Sequence, residues 1–255
     1  MELTLRTFLI VCPLVFLGGF MDSIAGGGGL ISLPAYLIAG VPIHFALGTN
    51  KISASSGGAI AAFRYYKNKY VDLLICLPCI FASLIGSSLG ANLTLLLNEK
   101  YLQYILLIVI PVTAFYVFKK KNLDTEANPL PRRLTIILAI IISFFLGAYD
   151  GFFGPGTGTF LILLYTGLVK MDSRIALGNS KLVNLTSNLS SAVIFFINGR
   201  VILPLGICAA IFSITGSYVG SGLVISRGTR LIRYMIMVVL ALLFGKVAFD
   251  IIKGI

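Results

Sequence analysis

The chain has 255 residues, of which 58% are hydrophobic and only 11% are charged, and its formal net charge is +11. A soluble domain has about 25% charged residues, so this composition excludes an ordinary water-exposed surface. Residues 73–98, 101–118 and 201–226 contain no charged side chain, and uncharged apolar runs of about 18 residues or more predict membrane-spanning helices. We therefore expect an all-α integral protein that crosses the membrane several times.

Ten helical segments are predicted along the chain. They cover roughly residues 5–21, 29–40, 46–66, 70–94, 101–118, 134–149, 157–169, 174–197, 201–224 and 231–252. The second segment of each five is short and, at about 1.5 Å per residue, barely reaches across the hydrocarbon. Each short segment follows a glycine-rich break, at residues 26–29 and 154–158. Short, glycine-interrupted segments at matching positions of two halves are typical of transporter binding sites.

Sequence motifs repeat between the two halves in the same order. The pattern Gly19-x-x-Asp22-x-x-x-Gly26-x-Gly28 recurs 128 residues later as Gly147-x-x-Asp150-x-x-x-Gly154-x-Gly156. Residues 46–51, which end in Thr49-Asn50-Lys51, recur 130 residues later and end in Asn179-Ser180-Lys181. We predict two homologous transmembrane repeats, residues 1–118 and 134–255, joined by a basic cytoplasmic connector at residues 119–133.

The positions of the basic residues predict how the repeats are oriented. With five crossings per half and the N-terminus outside, 13 of the 20 basic residues fall in cytoplasmic connections. The positive-inside rule therefore favours inverted repeats of about five helical segments each, with the glycine-broken short helices near the membrane midplane. Whether the short segments span the bilayer or re-enter on the same side stays open.

Two lysines lie within predicted spans, where a charge is expensive and therefore indicates function. Lys51 and Lys181 are equivalent in the two repeats, and hydroxyl and amide side chains surround both. Lysines, amides and helix N-termini all favour an anion. We predict a substrate-binding site formed by Thr49, Asn50, Lys51, Asn179, Ser180 and Lys181, with the backbone of Gly28 and Gly156. The alternatives are that the lysines snorkel to an interface or form neutral pairs with Asp22 and Asp150, which would then have a coupling or a structural role.

Several other classes of site are not expected. Cys76-x-x-Cys79 lies within a predicted span without a neighbouring histidine, and the single His44 cannot form a metal site alone. The glycine clusters are not followed by Lys-Ser or Lys-Thr, so they are not phosphate-binding loops of an ATPase. The basic residues lie mostly in short connections, which argues against nucleic-acid binding. We expect no metal, no cofactor and no catalytic residue.

The repeated motifs resemble those of the TauE/SafE sulfite exporters, also called the 4-toluene sulfonate uptake permease family. The residues that carry the resemblance are Gly19, Asp22, the glycines at 26–29, Pro34 and residues 46–51, with their counterparts at 147–158 and 176–181. The resemblance covers essentially the whole chain. It implies a multi-pass inner-membrane carrier for sulfite or organosulfur anions such as sulfonates. Ile162 stands where the first repeat has Pro34, so a symmetric role for that proline is not expected.

We therefore interpret the chain as a secondary transporter, a permease that moves small sulfur-containing anions by alternating access around a midplane site. Coupling to protons or to the membrane potential is expected, because no nucleotide motif is present. The alternatives are an anion channel and an intramembrane aspartyl enzyme that would use Asp22 and Asp150. The expected partners are the anion and the lipid bilayer, and a homodimer is compatible with the sequence.

Overall fold

The computed structural model describes residues 3–98, 101 and 130–227. Within these ranges the chain forms eight α-helices and no strand. In chain order they are α1 (Leu5–Ala25), α2 (Gly29–Ile38), α3 (Ile43–Lys67), α4 (Leu73–Leu96), α5 (Arg132–Phe152), α6 (Thr157–Gly167), α7 (Ser173–Ile197) and α8 (Leu203–Arg227). The predicted segments 101–118 and 231–252 and most of the connector lie outside the described residues.

Four of these helices, α1, α4, α5 and α8, are long and apolar enough to cross a membrane. They have 21 to 25 residues and mean hydropathies between 1.6 and 2.1. The helices α3 and α7 have 25 residues each, or about 37 Å of helix, but they carry the polar residues of the two repeats. The prediction of an all-α membrane protein is confirmed.

The short helices α2 and α6 have 10 and 11 residues. At about 1.5 Å per residue each is only about 15 Å long, or half of the hydrocarbon thickness. Helix α1 continues four residues beyond its predicted end and stops at Gly26, whose φ of +79° is left-handed. The two glycine breaks contact each other, because Gly26 packs against Gly158 and Thr159 Oγ1 donates to the Ala25 carbonyl at 2.8 Å.

Small residues bring helices of different halves close together. Helix α4 packs along α5, where Gly147 lies against Ser83 and Gly151 against Ser87. Helix α1 packs along α8 in the equivalent way. Small side chains let backbones approach closely, and this is how helices associate where lipid removes the hydrophobic driving force. Large apolar side chains such as Phe81 on α4 remain exposed, as suits contact with lipid.

The main helix contacts between the halves occur in matching pairs. Helix α8 packs on α3 just as α4 packs on α7, and α3 and α7 pack on each other at the centre. Gly48 lies next to Phe195 and Gly58 next to Leu185, so α3 and α7 run antiparallel. Helix α3 runs parallel to α8, because Thr49 contacts Ile202 near the start of both helices.

The directions of the helices place most basic residues of the described ranges at one end of the bundle. Helices α1 and α3 run with α8, whereas α4, α5 and α7 run in the opposite direction. One end of the bundle therefore carries Arg64, Lys67, Lys69, Arg132, Arg133, Lys170, Arg174 and Arg227. Among the described residues the other end carries Arg6 and Arg200. A side with such an excess of positive charge favours the cytoplasm.

Candidate functional site

Lys51 is buried in the middle of the bundle and is neutralised by the other half. Its side chain is 3% exposed, and Nζ lies 2.9 Å from Asp150 Oδ2. The same nitrogen donates to the main-chain carbonyl of Asp150, in the last turn of α5. The C-terminal end of a helix carries unpaired carbonyls and a partial negative charge, so both groups favour the ammonium.

Lys181 occupies the equivalent place in the second repeat. Its Nζ lies 2.8 Å from Asp22 Oδ2 and also donates to the main-chain carbonyl of Asp22, in the last turn of α1. Each lysine therefore pairs with the aspartate of the opposite half. The pairing that the sequence left as an alternative is present, and it connects the two repeats rather than lying within one.

The two aspartates differ in their surroundings. Asp150 is 2% exposed and accepts hydrogen bonds from Ser187 Oγ at 2.6 Å and from Asn184 Nδ2 at 3.5 Å. Asp22 is 22% exposed. Among the described residues, its carboxylate is hydrogen-bonded by Lys181. The first repeat thus has a more loosely held carboxylate than the second.

A cavity of about 40 Å³ lies between the halves. A water needs about 10–15 Å³ on this scale, so the cavity accepts about three waters or one small anion. Both aspartates border it. The other polar side chains in its wall are Ser32, Asn50, Lys51, Ser53, Asn184, Asn188 and Ser213, and the glycines are 18, 19, 26, 28, 29, 154 and 158. The two glycine breaks therefore open into a shared polar space.

Three of the predicted ligands border this cavity: Asn50, Lys51 and the backbone of Gly28. The amide oxygen of Asn50 is buried and has no hydrogen-bond partner among the described residues. An unsatisfied buried acceptor costs about 1–3 kcal/mol, and such a group is a natural place for a ligand to bind. Gly28 lies at the N-terminus of α2 and packs against Asp22 without a side chain of its own.

Thr49 and Asn179 lie outside the cavity wall, and each accepts a hydrogen bond from the start of another helix. Thr49 Oγ1 accepts from the backbone N–H of Ile202 at 3.0 Å, and Asn179 Oδ1 accepts from that of Asp72 at 3.0 Å. Ile202 and Asp72 precede the first residues of α8 and α4. These two side chains therefore hold the starts of the fourth helices, where N–H groups lack a partner within the helix.

The remaining predicted ligands also lie outside the cavity wall. Ser180 Oγ donates to the Leu177 carbonyl at 2.7 Å, and Lys181 Nζ donates to the Asp22 carboxylate. Gly156 has a φ of +86° and precedes α6, where the chain needs a left-handed residue. The three predicted ligands that border the cavity thus all come from the first repeat.

The cavity wall includes residues beyond the eight predicted ligands. Asn184 and Asn188 follow Lys181 at spacings of three and seven residues, so they share its face of α7. They belong to the amide and hydroxyl side chains that the sequence places around Lys181. Ser32 and Ser213 lie on apolar helices without any such mark, and only the packing of α2 and α8 reveals them.

The cysteines and the histidine lie in ordinary packing contacts, and of these residues only Cys208 is partly exposed. Cys76 and Cys79 are buried and free, and His44 Nε2 lies 3.2 Å from the Thr94 carbonyl. No group of three potential metal ligands occurs in the part of the chain that the structure describes. Cys12 and Cys208 face each other across α1 and α8 at 3.6 Å between the sulfurs.

Comparison with known proteins gives consistent matches over almost the whole chain. The model of the family described as sulfite exporter TauE/SafE matches residues 11–247. The chain is 33% identical to a probable membrane transporter protein of Haemophilus influenzae, over 98% of each protein. It is 34% identical to the probable membrane transporter protein YfcA of Escherichia coli K12, over 97% of this chain and 94% of that protein.

A more distant relative is the probable membrane transporter protein YdhB of Bacillus subtilis, 24% identical over 84% of this chain and 88% of that protein. No solved structure shows a significant match. The family and these relatives are named as transporters, not as enzymes. The chain belongs to the sulfite exporter TauE/SafE family and is a multi-pass membrane transporter.

Proposed function

We propose that this protein is a secondary transporter of small sulfur-containing anions, such as sulfite or organosulfonates, which bind in the cavity between the two halves. The observation that carries the proposal is a polar cavity of about 40 Å³ that both glycine breaks enter and that Lys51 and Asn50 border. Its volume suits a small anion better than a large substrate. The name of the family supports the sulfur chemistry.

Three groups on the first repeat hold the anion. Lys51 supplies a nearby positive charge. Asn50 presents an amide whose oxygen lacks a partner among the described residues, and rotation of this amide lets its N–H₂ donate to the anion. Gly28 and Gly29, at the start of α2, border the cavity with backbone alone, so unpaired N–H groups can approach the anion's oxygens.

Alternating access follows from an inverted arrangement of the two repeats, which we include in the proposal. It is supported by the antiparallel packing of α3 and α7 around the site and by the basic residues gathered at one end. Rocking one half against the other opens the cavity first to one side of the membrane and then to the other. The short helices move with their own half and carry the glycine breaks across the site.

Exchange of radiolabelled sulfite or methanesulfonate in proteoliposomes tests this function. Wild-type protein is expected to exchange one of these anions in a saturable manner, with faster uptake when the same anion is inside. Absence of exchange for both anions contradicts the proposal. Unitary currents in planar bilayers, without such stimulation, favour the anion channel instead.

A matched pair of variants tests the site itself. Asn50→Ala removes an amide from the cavity, and we expect a rise of about 10-fold in the half-saturation concentration, since one hydrogen bond to an anion contributes about 1.5 kcal/mol. Ser180→Ala changes the equivalent residue of the second repeat, whose hydroxyl is bonded to Leu177, and leaves that concentration unchanged. Equal effects of both variants contradict the assignment.

A further inference from the structure

We propose that Asp22 binds the coupling proton of this transporter and that Asp150 does not. The inference rests on the proposed function, and it goes further by naming the coupled ion and one of two equivalent carboxylates. It starts from the unequal surroundings of the two ion pairs, which occupy matching positions of the repeats.

The Asp150 carboxylate faces one cation and two hydrogen-bond donors. This carboxylate forms an ion pair with Lys51 and accepts hydrogen bonds from Ser187 and Asn184. Its side chain is almost completely buried. Donors that face a carboxylate stabilise its ionised form.

Asp22 lacks this support because the first repeat has no equivalent of the two donors. The residues equivalent to Asn184 and Ser187, 130 positions earlier, are Ala54 and Gly57. Ala54 borders the cavity together with Asp22 and offers no hydrogen bond. Asp22 is therefore a carboxylate in contact with the cavity, partly exposed and held by one lysine, where a proton can reach it.

Charged and titratable side chains of several described elements lie around Asp22. Lys181 comes from α7, and Lys51 and Asp150 border the same cavity from α3 and α5. The Tyr65 hydroxyl on α3 donates to the carbonyl of Ser23, next to Asp22 in the chain, at 2.7 Å. In the described ranges, α2, α6 and α8 border the cavity with glycine and serine alone and no charged side chain.

Charge balance then couples the proton to the anion. In the described site two lysines and two aspartates cancel. Adding an anion alone would leave a buried net charge, which is costly. When the Asp22 carboxylate takes one proton, the ammonium of Lys181 is no longer compensated, and a monovalent anion in the cavity restores neutrality. One proton therefore moves with each monovalent anion, in the same direction and without net charge transfer.

The test measures methanesulfonate transport by the full chain in proteoliposomes, with the membrane potential clamped by potassium and valinomycin. Methanesulfonate stays ionised throughout, so it cannot cross the bilayer as a neutral acid. We expect a pH gradient to drive at least 10-fold accumulation by wild-type protein and an imposed potential to drive none. We expect Asp22→Asn to exchange the anion at a rate that no longer changes between pH 5.5 and 8, and to lose the accumulation.

Ser187→Ala is the matched variant on the side of Asp150, and it leaves both carboxylates and both lysines in place. If Asp22 carries the proton, the midpoint of the pH dependence of exchange stays where it is in wild type. If Asp150 carries it, loss of a donor to its carboxylate moves that midpoint to higher pH, and this overturns the proposal. Asp22→Glu, which keeps a carboxylate, should retain pH-driven accumulation.

The outcomes separate this inference from the function on which it rests. Exchange by wild type with accumulation that follows the membrane potential and not the pH gradient overturns the role of Asp22 but leaves the transporter assignment intact. Absence of exchange of sulfite and of methanesulfonate contradicts both the transport function and the role of Asp22. An Asp22→Asn variant that still accumulates the anion also overturns the proposal. The melting temperature in detergent shows whether each variant is folded, and the Ser187→Ala comparison applies even if Asp22→Asn is not.

Discussion

Lys51 in the first repeat binds Asp150 in the second, with 2.9 Å between Nζ and Oδ2. The same lysine also donates to the main-chain carbonyl of Asp150, so it joins the end of α5 to the first half of α3. Removing one partner of a buried ion pair destabilises a protein far more than removing both, because one buried charge is then left without compensation. This asymmetry gives a direct test of the pair.

We expect Lys51→Met to lower the free energy of unfolding by about 3–5 kcal/mol, because it leaves the carboxylate of Asp150 buried and unpaired. The double variant Lys51→Met, Asp150→Asn should recover most of that loss, since no net charge remains. Neither variant should exchange anion, because Lys51 is part of the cavity. Thermal unfolding in detergent measures the stability. A double variant as unstable as the single one contradicts this description of the pair.

The contact between the glycine breaks makes a second prediction. Gly26→Ala should strongly destabilise the protein, because a Cβ there would lie 2.6 Å from the Gly158 Cα and the φ of +79° is left-handed. Gly40→Ala is the matched control, with a φ of +80° and open space around it. It should cost only the backbone preference, about 1–2 kcal/mol. Similar melting temperatures for both variants would show that the close packing is unimportant.

A third prediction separates ligands from structural residues. Thr49→Val keeps the shape of the side chain but removes the acceptor for the N–H of Ile202. We expect a loss of about 1–3 kcal/mol in stability and no change in the half-saturation concentration for the anion. Asn179→Leu should behave in the same way through Asp72. A weaker affinity for the anion at unchanged stability would instead indicate that Thr49 is part of the binding site.

The contact between α1 and α8 can be tested by cross-linking. Oxidation by copper phenanthroline should join Cys12 to Cys208, whose sulfurs are 3.6 Å apart, as the two thiols release two protons and pass two electrons to copper. After cleavage at a protease site introduced into residues 119–133, the two halves should migrate together on a non-reducing gel. Cys208 is the one cysteine of the second half, so Cys12→Ser should abolish the product. A product that persists in Cys12→Ser contradicts the packing of α1 on α8.

Much of the helical framework could be predicted from the sequence, because lipid imposes simple rules. Uncharged runs indicated the long helices, and the duplicated glycines indicated where the short helices begin. The ends were less accurate. The first segment was predicted to end at residue 21, but α1 continues to Ala25, since nothing opposes a helix until Gly26 turns left-handed.

The site was predicted less well, because a sequence repeat does not show which residues of the two halves contact each other. The sequence marked the lysines and the aspartates but not that each lysine contacts the aspartate of the other half. It also placed Thr49 and Asn179 among the ligands because of their position beside the lysines. Their side chains instead point to the fourth helix of the opposite repeat, a contact that only the packing of the halves determines.

The crossed ion pairs also have a consequence for how the protein is made. The first repeat leaves the ribosome first, and it brings Lys51 and Asp22 into the membrane while both of their partners are still to be synthesised. Unpaired charges at that depth are costly, so the first repeat alone cannot reach its final arrangement. Assembly is therefore completed only when α5 and α7 arrive, and a truncated first repeat should be a target for membrane quality control rather than a stable half-protein.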